Sequence, residues 1–311
     1  MRATLGSLIP CQQAGTEGDG GLADALARLK SDWEAVKSRY GIDNPDSATT
    51  RFSLRKELFR ISPSSSSDAK WADTLSTCLV DDLNTVDAYA RYCVPYGGAS
   101  TNKEPGLVIR FSGSIVPRRN FFGHPAGGGD NFYDPTWLST RIRAVGVWFG
   151  GYNTAFNTNS ASGGGLANTP NVYLVPAGTD TIVSGADRTR TKTRTWTVLD
   201  QLLPLPSGLG AADLTPLMSS VGERRRHSAF RAHHDAGNFS EDELCTNARL
   251  IGRSVWNSDW VLIIPGRSLL ADPSEGLDRF IHGALQSDGT RDGHGITDIR
   301  LYFQTYSYSG D

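Results

Sequence analysis

Hydrophobic and polar positions alternate most regularly near the end of the chain. Over Ile296 to Tyr306, Ile299, Leu301 and Phe303 fall on one face and Arg300, Tyr302 and Gln304 on the other. That period of two predicts a strand with one face in a core and one facing water or a partner. A one-residue slip would put Arg300 and Gln304 into the core, so the register is strongly specified. Just upstream, Arg249 to Trp256 and Asp259 to Gly266 read as two strands joined by a turn at Asn257-Ser258, a hairpin. Further strands are predicted at Leu107–Phe111, Thr140–Phe149, Asn171–Pro176, Arg194–Leu199 and Ser228–Ala232. The second of these carries apolar residues on both faces toward its end and is the candidate central strand. Between the hairpin and the last strand, Pro273 to Ile281 reads as a small helix covering one end of a sheet.

The period is helical in the first third of the chain. Leu22, Leu26, Leu29, Trp33, Val36 and Tyr40 recur at alternating steps of four and three, ending at Gly41 and Asn44-Pro45. Two readings stay open, an amphipathic helix packed on its own domain and a short coiled-coil seam. A second helix is predicted over Phe52–Ile61, and a third, N-capped by Asp68, carries Trp71, Leu75, Leu79 and Leu83. A short piece from Val86 to Cys93 closes this section. The organisation that follows is a lead-in over 1–21, a helical segment over 22–98, and a β domain over 106–311 entered through a linker at Ala99–Pro105. Seven or more strands without βαβ alternation predict a mainly β fold, an antiparallel β-sandwich of jelly-roll type preceded by a short α-helical segment.

Composition narrows the function classes. With 31 basic and 33 acidic residues in 311, the net charge of -2 provides no global field for nucleic acid or an anionic membrane. Arg224-Arg225-Arg226 reads as a solvated loop. Cys11, Cys78, Cys93 and Cys245 lack paired C-x-x-C spacing and are expected as thiols. The first ten residues hold too short an apolar run for a signal-peptide core, and nothing approaches a membrane span, so any export is expected to need another route or a missing upstream segment.

Candidate chemistry is sparse. His227, His233, His234 and Asp235 are the densest set of metal-ligand types, but adjacent histidines on an extended chain point to opposite faces, and no HExxH spacing is present. Asp288 to Gly295 lacks the alternating acids of a calcium loop, Gly127-Gly128-Gly129-Asp130 lacks the Lys of a phosphate loop, and there is no G-x-S-x-G elbow. No metal site, cofactor or catalytic set is therefore expected, and the chain reads as a binding protein rather than an enzyme, with a metal-dependent hydrolase using the His227 to Asp235 region as a weaker alternative. The candidate binding residues are Asn120, Phe121, Phe122, Tyr133 and Trp137, in one long aromatic connection between strands. Rings beside hydrogen-bonding groups at a sandwich end suit a sugar face or a protein hot spot, or else plug the end of the core.

Several phrases resemble a known family. Phe52-Ser53-Leu54-Arg55-Lys56-Glu57-Leu58-Phe59-Arg60-Ile61, Asn120-Phe121-Phe122-Gly123, Asp130-Asn131-Phe132-Tyr133-Asp134-Pro135, Ile142 to Phe149, Arg249 to Trp256, Trp260 to Gly266 with Asp272-Pro273, and Ile296 to Gly310 are similar in order and content to the C-terminal region of proteins related to the A subunit of insecticidal toxin (Tc) complexes. Relatives of that group are often labelled neuraminidase-like. The resemblance spans roughly residue 50 to the end and implies a non-catalytic docking module whose partner is a B-subunit-like propeller. It does not imply neuraminidase activity, which belongs to segments upstream in the long proteins. The A subunits also carry a channel of long helices, whereas the Leu22 helix spans only about 28 Å at about 1.5 Å per residue. The chain is thus expected to be either a detached C-terminal piece or a shortened relative. The alternative reading is a carbohydrate-binding jelly roll that takes a glycan through the aromatic loop.

Overall fold

The computed structural model describes residues 21–40, 45–96, 103–116, 118–132, 137–152, 165–183, 193–197, 227, 229–235, 250–284, 288–289 and 295–309. The chain divides into two units, Met1–Pro45 and Asp46–Asp311. The first carries helix α1 (Gly21–Tyr40), formed where the four-three stripe predicts, with Leu26, Leu29 and Trp33 exposed. The second is mostly strand. Its strands are β1 (Asp46–Ser53), β2 (Leu79–Val80), β3 (Gly106–Phe111), β4 (Trp137–Gly150), β5 (Asn171–Pro176), β6 (Thr179–Val183), β7 (Thr193–Thr197), β8 (Phe230–Arg231), β9 (His233–His234), β10 (Trp260–Pro265) and β11 (Asp298–Ser309). Helices α2 (Asp68–Ser76), α3 (Asp87–Tyr92) and α4 (Pro273–His282) accompany them.

The strands form a sheet ordered β1-β11-β4-β9, a second ordered β2-β3-β10-β5-β8, and a β6-β7 pair, antiparallel throughout except for the parallel contact of β4 with β9. β10 is buried at every residue. β3 and β5 take its two edges, and both of its faces are covered. Trp260, Leu262 and Ile264 join one core with Ile299, Leu301 and Phe303 of β11 and Val145, Val147 and Phe149 of β4. Val261 and Ile263 pack on the other side with Leu83, Tyr89 and Cys93. An unbroken apolar run is what such a doubly covered strand requires. β11 has a single buried face, and there Ile299, Leu301 and Phe303 are fully buried in the register that their alternation predicts. β4 lies between β11 and β9, the central position expected for it.

Three elements differ from the sequence reading. Residues 250–257 do not form the first strand of a hairpin, because β10 has no edge left for them. The segment is instead stitched into other neighbours: Gly252 turns with φ 79°, its N–H donates to Ile142 O at 2.8 Å, and Asn257 Nδ2 donates to Asp180 Oδ1 at 2.6 Å. Phe52–Ile61 is not a helix throughout. Its start belongs to β1, where half-buried or buried Ala48, Thr50 and Phe52 alternate with exposed Ser47, Thr49 and Arg51 along β11. Only Leu54–Leu58 is helical, as one π-turn capped by Ser53, whose Oγ accepts Lys56 N at 3.0 Å, and the chain leaves it through Arg60 at φ 57°. The third helix stops at Ser76, so Leu79 lies in β2, 40% exposed, while Leu83 is buried in a short 3-10 turn. Asp68 is the first residue of α2 rather than its cap, and it accepts Arg55 Nη1 at 2.7 Å.

The second unit starts at Asp46, inside the stretch grouped above as one helical segment. Trp71 and Leu75 of α2 share the main core with Leu277 and Phe280 of α4. Asp272 caps α4 by accepting Ser274 N and Glu275 N. Cys78 is half-buried and Cys93 buried, each as a thiol; Cys11, Cys245, Arg224–Arg226 and the 1–20 lead-in lie outside the described residues. Among the described residues no helix is long and apolar enough to cross a membrane.

Candidate functional site

Three neighbouring strands change chemistry at the same end of their buried face. On β11 the inward series runs Phe303, Thr305, Ser307, all buried; on β1 Phe52 gives way to Thr50; on β4 Ile142 gives way to Thr140. The β4 change coincides with an irregularity. The pairing with β11 shifts between Tyr306 and Tyr308, and Ser139 adopts φ 51°, an unusual left-handed conformation for a residue with a side chain. Irregularities of this kind re-aim side chains beside functional sites.

A cavity of about 130 Å³ opens where the threonines meet. Phe52, Phe303 and Trp256 are its buried aromatic lining, Val255 adds an aliphatic surface, and Asn131, Phe132 and Trp137 complete it with Thr50, Thr140 and Thr305. Phe132 is 63% exposed and marks the rim. Among the described residues, no lining side chain is charged. Thr305 Oγ1 donates to Ala48 O at 3.3 Å, whereas Thr140 Oγ1, in a residue only 3% exposed, has no hydrogen-bond partner in the protein. A buried hydroxyl in that condition is unusual, since most buried polar atoms are bonded.

The rim is set by the π-turn. Glu57 holds both sides of the 118–132 loop: its carbonyl accepts Asn120 Nδ2 at 2.9 Å, and its carboxylate accepts Asn131 N and Asn131 Nδ2, each at 3.0 Å. Asn120 Oδ1 in turn accepts Phe122 N and His124 N. Lys56 Nζ donates to Gly128 O at 3.1 Å, and Arg60 Nη1 pairs with Asp130 Oδ2 at 2.7 Å. Burial pushes the Glu57 carboxyl above the ordinary glutamate range, against the pull of the Asn131 and Ser53 donors. Burial works in the same sense on Asp130, but the Gly127 N–H and the Arg60 guanidinium outweigh it and hold that carboxyl below the usual range.

Of the residues singled out from sequence, Trp137 lines the cavity. Phe121 is fully buried and stacks on Phe52 with ring centroids 4.0 Å apart, beneath the lining, and Phe122 meets it edge-on at 5.0 Å. These two rings are core. Asn120 is also buried and braces the loop rather than facing outward. Tyr133 lies outside the described residues. The sequence reading missed Thr50, Thr140 and Thr305. The alternation continues past Phe303 with hydroxyl residues at inward positions, but threonine suits either face of a strand, so the period alone does not mark them.

The histidines do not gather. His233 stacks on Trp148, His234 lies against Tyr152 with Nε2 2.8 Å from Asn168 O, and Asp235 accepts Trp148 Nε1 and Gly151 N. Among the described residues no group of three or more His, Cys, Asp or Glu is arranged to hold a metal ion. Compared with known proteins, the sequence matches no protein-family model and no curated protein.

Proposed function

We propose that the chain is a non-catalytic docking module of a Tc-toxin-like A component, its second unit a β-sandwich of jelly-roll type that binds a B-subunit-like propeller. One observation carries this: an uncharged, aromatic-lined cavity with an exposed ring, Phe132, at its rim. Interface anchors are typically single side chains that fill a desolvated pocket beside aromatic neighbours. Among the described residues the lining carries no titratable side chain, which favours binding over acid-base or nucleophilic chemistry at this cavity. The resemblance in ordered phrases supplies the partner class, and the two larger sheets sharing one core fit the sandwich.

The test is capture of a purified B-subunit-like propeller on the immobilised full chain. The expected result is capture that weakens about tenfold or more in Phe132→Ala, a loss of about 1.4 kcal/mol. A folded chain that captures no propeller overturns the reading. The second reading, a glycan-binding module, is favoured by Trp137 and Phe132 standing beside threonine hydroxyls, and a glycan array with saturable binding lost in Trp137→Ala would establish it.

A further inference from the structure

The cavity has a size, a charge and a polar contact that together select a ligand. At about 130 Å³ it is close to an apolar protein cavity of about 150 Å³ known to take up benzene, so it holds one six-membered ring and not two. Its lining among the described residues is neutral, which disfavours a charged group left without a counter-ion. Phe52, Phe303 and Trp256 offer ring faces and edges, the surroundings in which another aromatic ring gains more than its area alone. Among its polar lining groups, Thr140 is held inward beside the β4 irregularity, and its buried Oγ1 has no partner among the described residues.

We infer that this cavity is a site for a phenol ring, and, resting on the docking reading above, that the ring is a tyrosine side chain of the protein partner with its hydroxyl bonded to Thr140 Oγ1. A plain aliphatic or phenyl group fills the same space but leaves the threonine unbonded. A hexose fits worse. It brings several hydroxyls to a small cavity in which Thr305 Oγ1 is committed to Ala48 O and Asn131 Nδ2 to Glu57 and Arg51 O, leaving few polar atoms to meet them. A threonine hydroxyl both donates and accepts, so it can meet a phenol hydroxyl in either sense.

The experiment titrates p-cresol, the tyrosine side chain without its backbone, into the full chain and follows tryptophan fluorescence, since Trp137 and Trp256 line the cavity. Toluene and methyl glucoside are run beside it. The expected result is saturable p-cresol binding about tenfold tighter than toluene, no glucoside binding, and displacement of captured propeller by p-cresol. Thr140→Val removes the hydroxyl at nearly constant shape and is expected to bring p-cresol down to toluene affinity. Phe132→Ala, at an exposed position, weakens both aromatics together and serves if the valine variant fails to fold. Equal affinity for p-cresol and toluene, no p-cresol binding, or preferred glucoside binding overturns the phenol site. Propeller capture that persists without p-cresol binding overturns the phenol site and keeps docking; p-cresol binding without capture keeps the phenol site and overturns docking together with its tyrosine source.

Discussion

The buried face of the β1-β11-β4 sheet has two ends made on one alternation and to opposite chemical effect. At one end Ile299 and Leu301 meet Val147 and Phe149, with Phe280 of α4 edge-on to Phe149 at 4.9 Å. At the other, Thr305, Thr50 and Thr140 occupy equivalent inward positions around a cavity. Burial is nearly the same at both, with Leu301 at 0% and Thr305 at 4% exposure. Depth alone therefore does not separate core from site. What separates them is residue type: apolar side chains fill the closed end, whereas the open end places hydroxyls inward, and one of them, Thr140 Oγ1, has no partner among the described residues.

Exchanging the chemistry of the two ends breaks the comparison most sharply. Leu301→Thr puts an unpartnered hydroxyl and a void into the closed end, and a loss of at least about 3 kcal/mol in urea unfolding is expected. Next in size is Glu57→Ala, which strips partners from Asn131 and Ser53 at the rim. It should cost about 1–3 kcal/mol and raise hydrogen exchange at Asn131 more than at Leu301.

A pH series sharpens the contrast further, because two carboxyls move in opposite directions. Burial raises Asp298, at the start of β11, despite bonds from Ser53, Arg55 and Arg300. With its folded pKa above the unfolded one, its stabilisation is complete below the unfolded value and fades as pH rises through the folded value. Asp130 at the rim is lowered, so its stabilisation is present above the unfolded value and fades as pH falls through the folded one. Asp298→Asn should thus flatten the decline in melting temperature above about pH 4, and Asp130→Asn the decline below it. Thr140→Val is the smallest change, within about 1 kcal/mol of wild type in stability, because the hydroxyl it removes has no partner to lose.

The closed end was legible in the sequence and the open end was not. Ile299, Leu301 and Phe303 announce their face by hydrophobicity, and the doubly covered β10 announces itself by the run Trp260 to Pro265. Threonine at an inward position carries no such announcement, since it suits either face of a strand. The hairpin expected before β10 failed for a related reason. Hydrophobic runs report burial but not which edges are already occupied, and only the pairing with both β3 and β5 removes the partner that Arg249 to Trp256 seemed to have. Among the aromatic loop residues, Trp137 lines the cavity, whereas Phe121 and Phe122 turn inward, as large apolar rings beside Phe52 and Phe111 do.

The pairing of β1 with β11 has a consequence for how the protein is made. Ser53 sits opposite Arg300 and Asp46 opposite Ser307, so the earliest strand of the second unit waits for the latest one. At about 5–20 residues per second on the ribosome, that interval is on the order of tens of seconds. Throughout it, Phe52 and the inner side of β4 have no β11 to cover them, and the nascent chain presents an apolar surface to its surroundings. The β1-β11 pairing therefore closes only once β11 has left the exit tunnel.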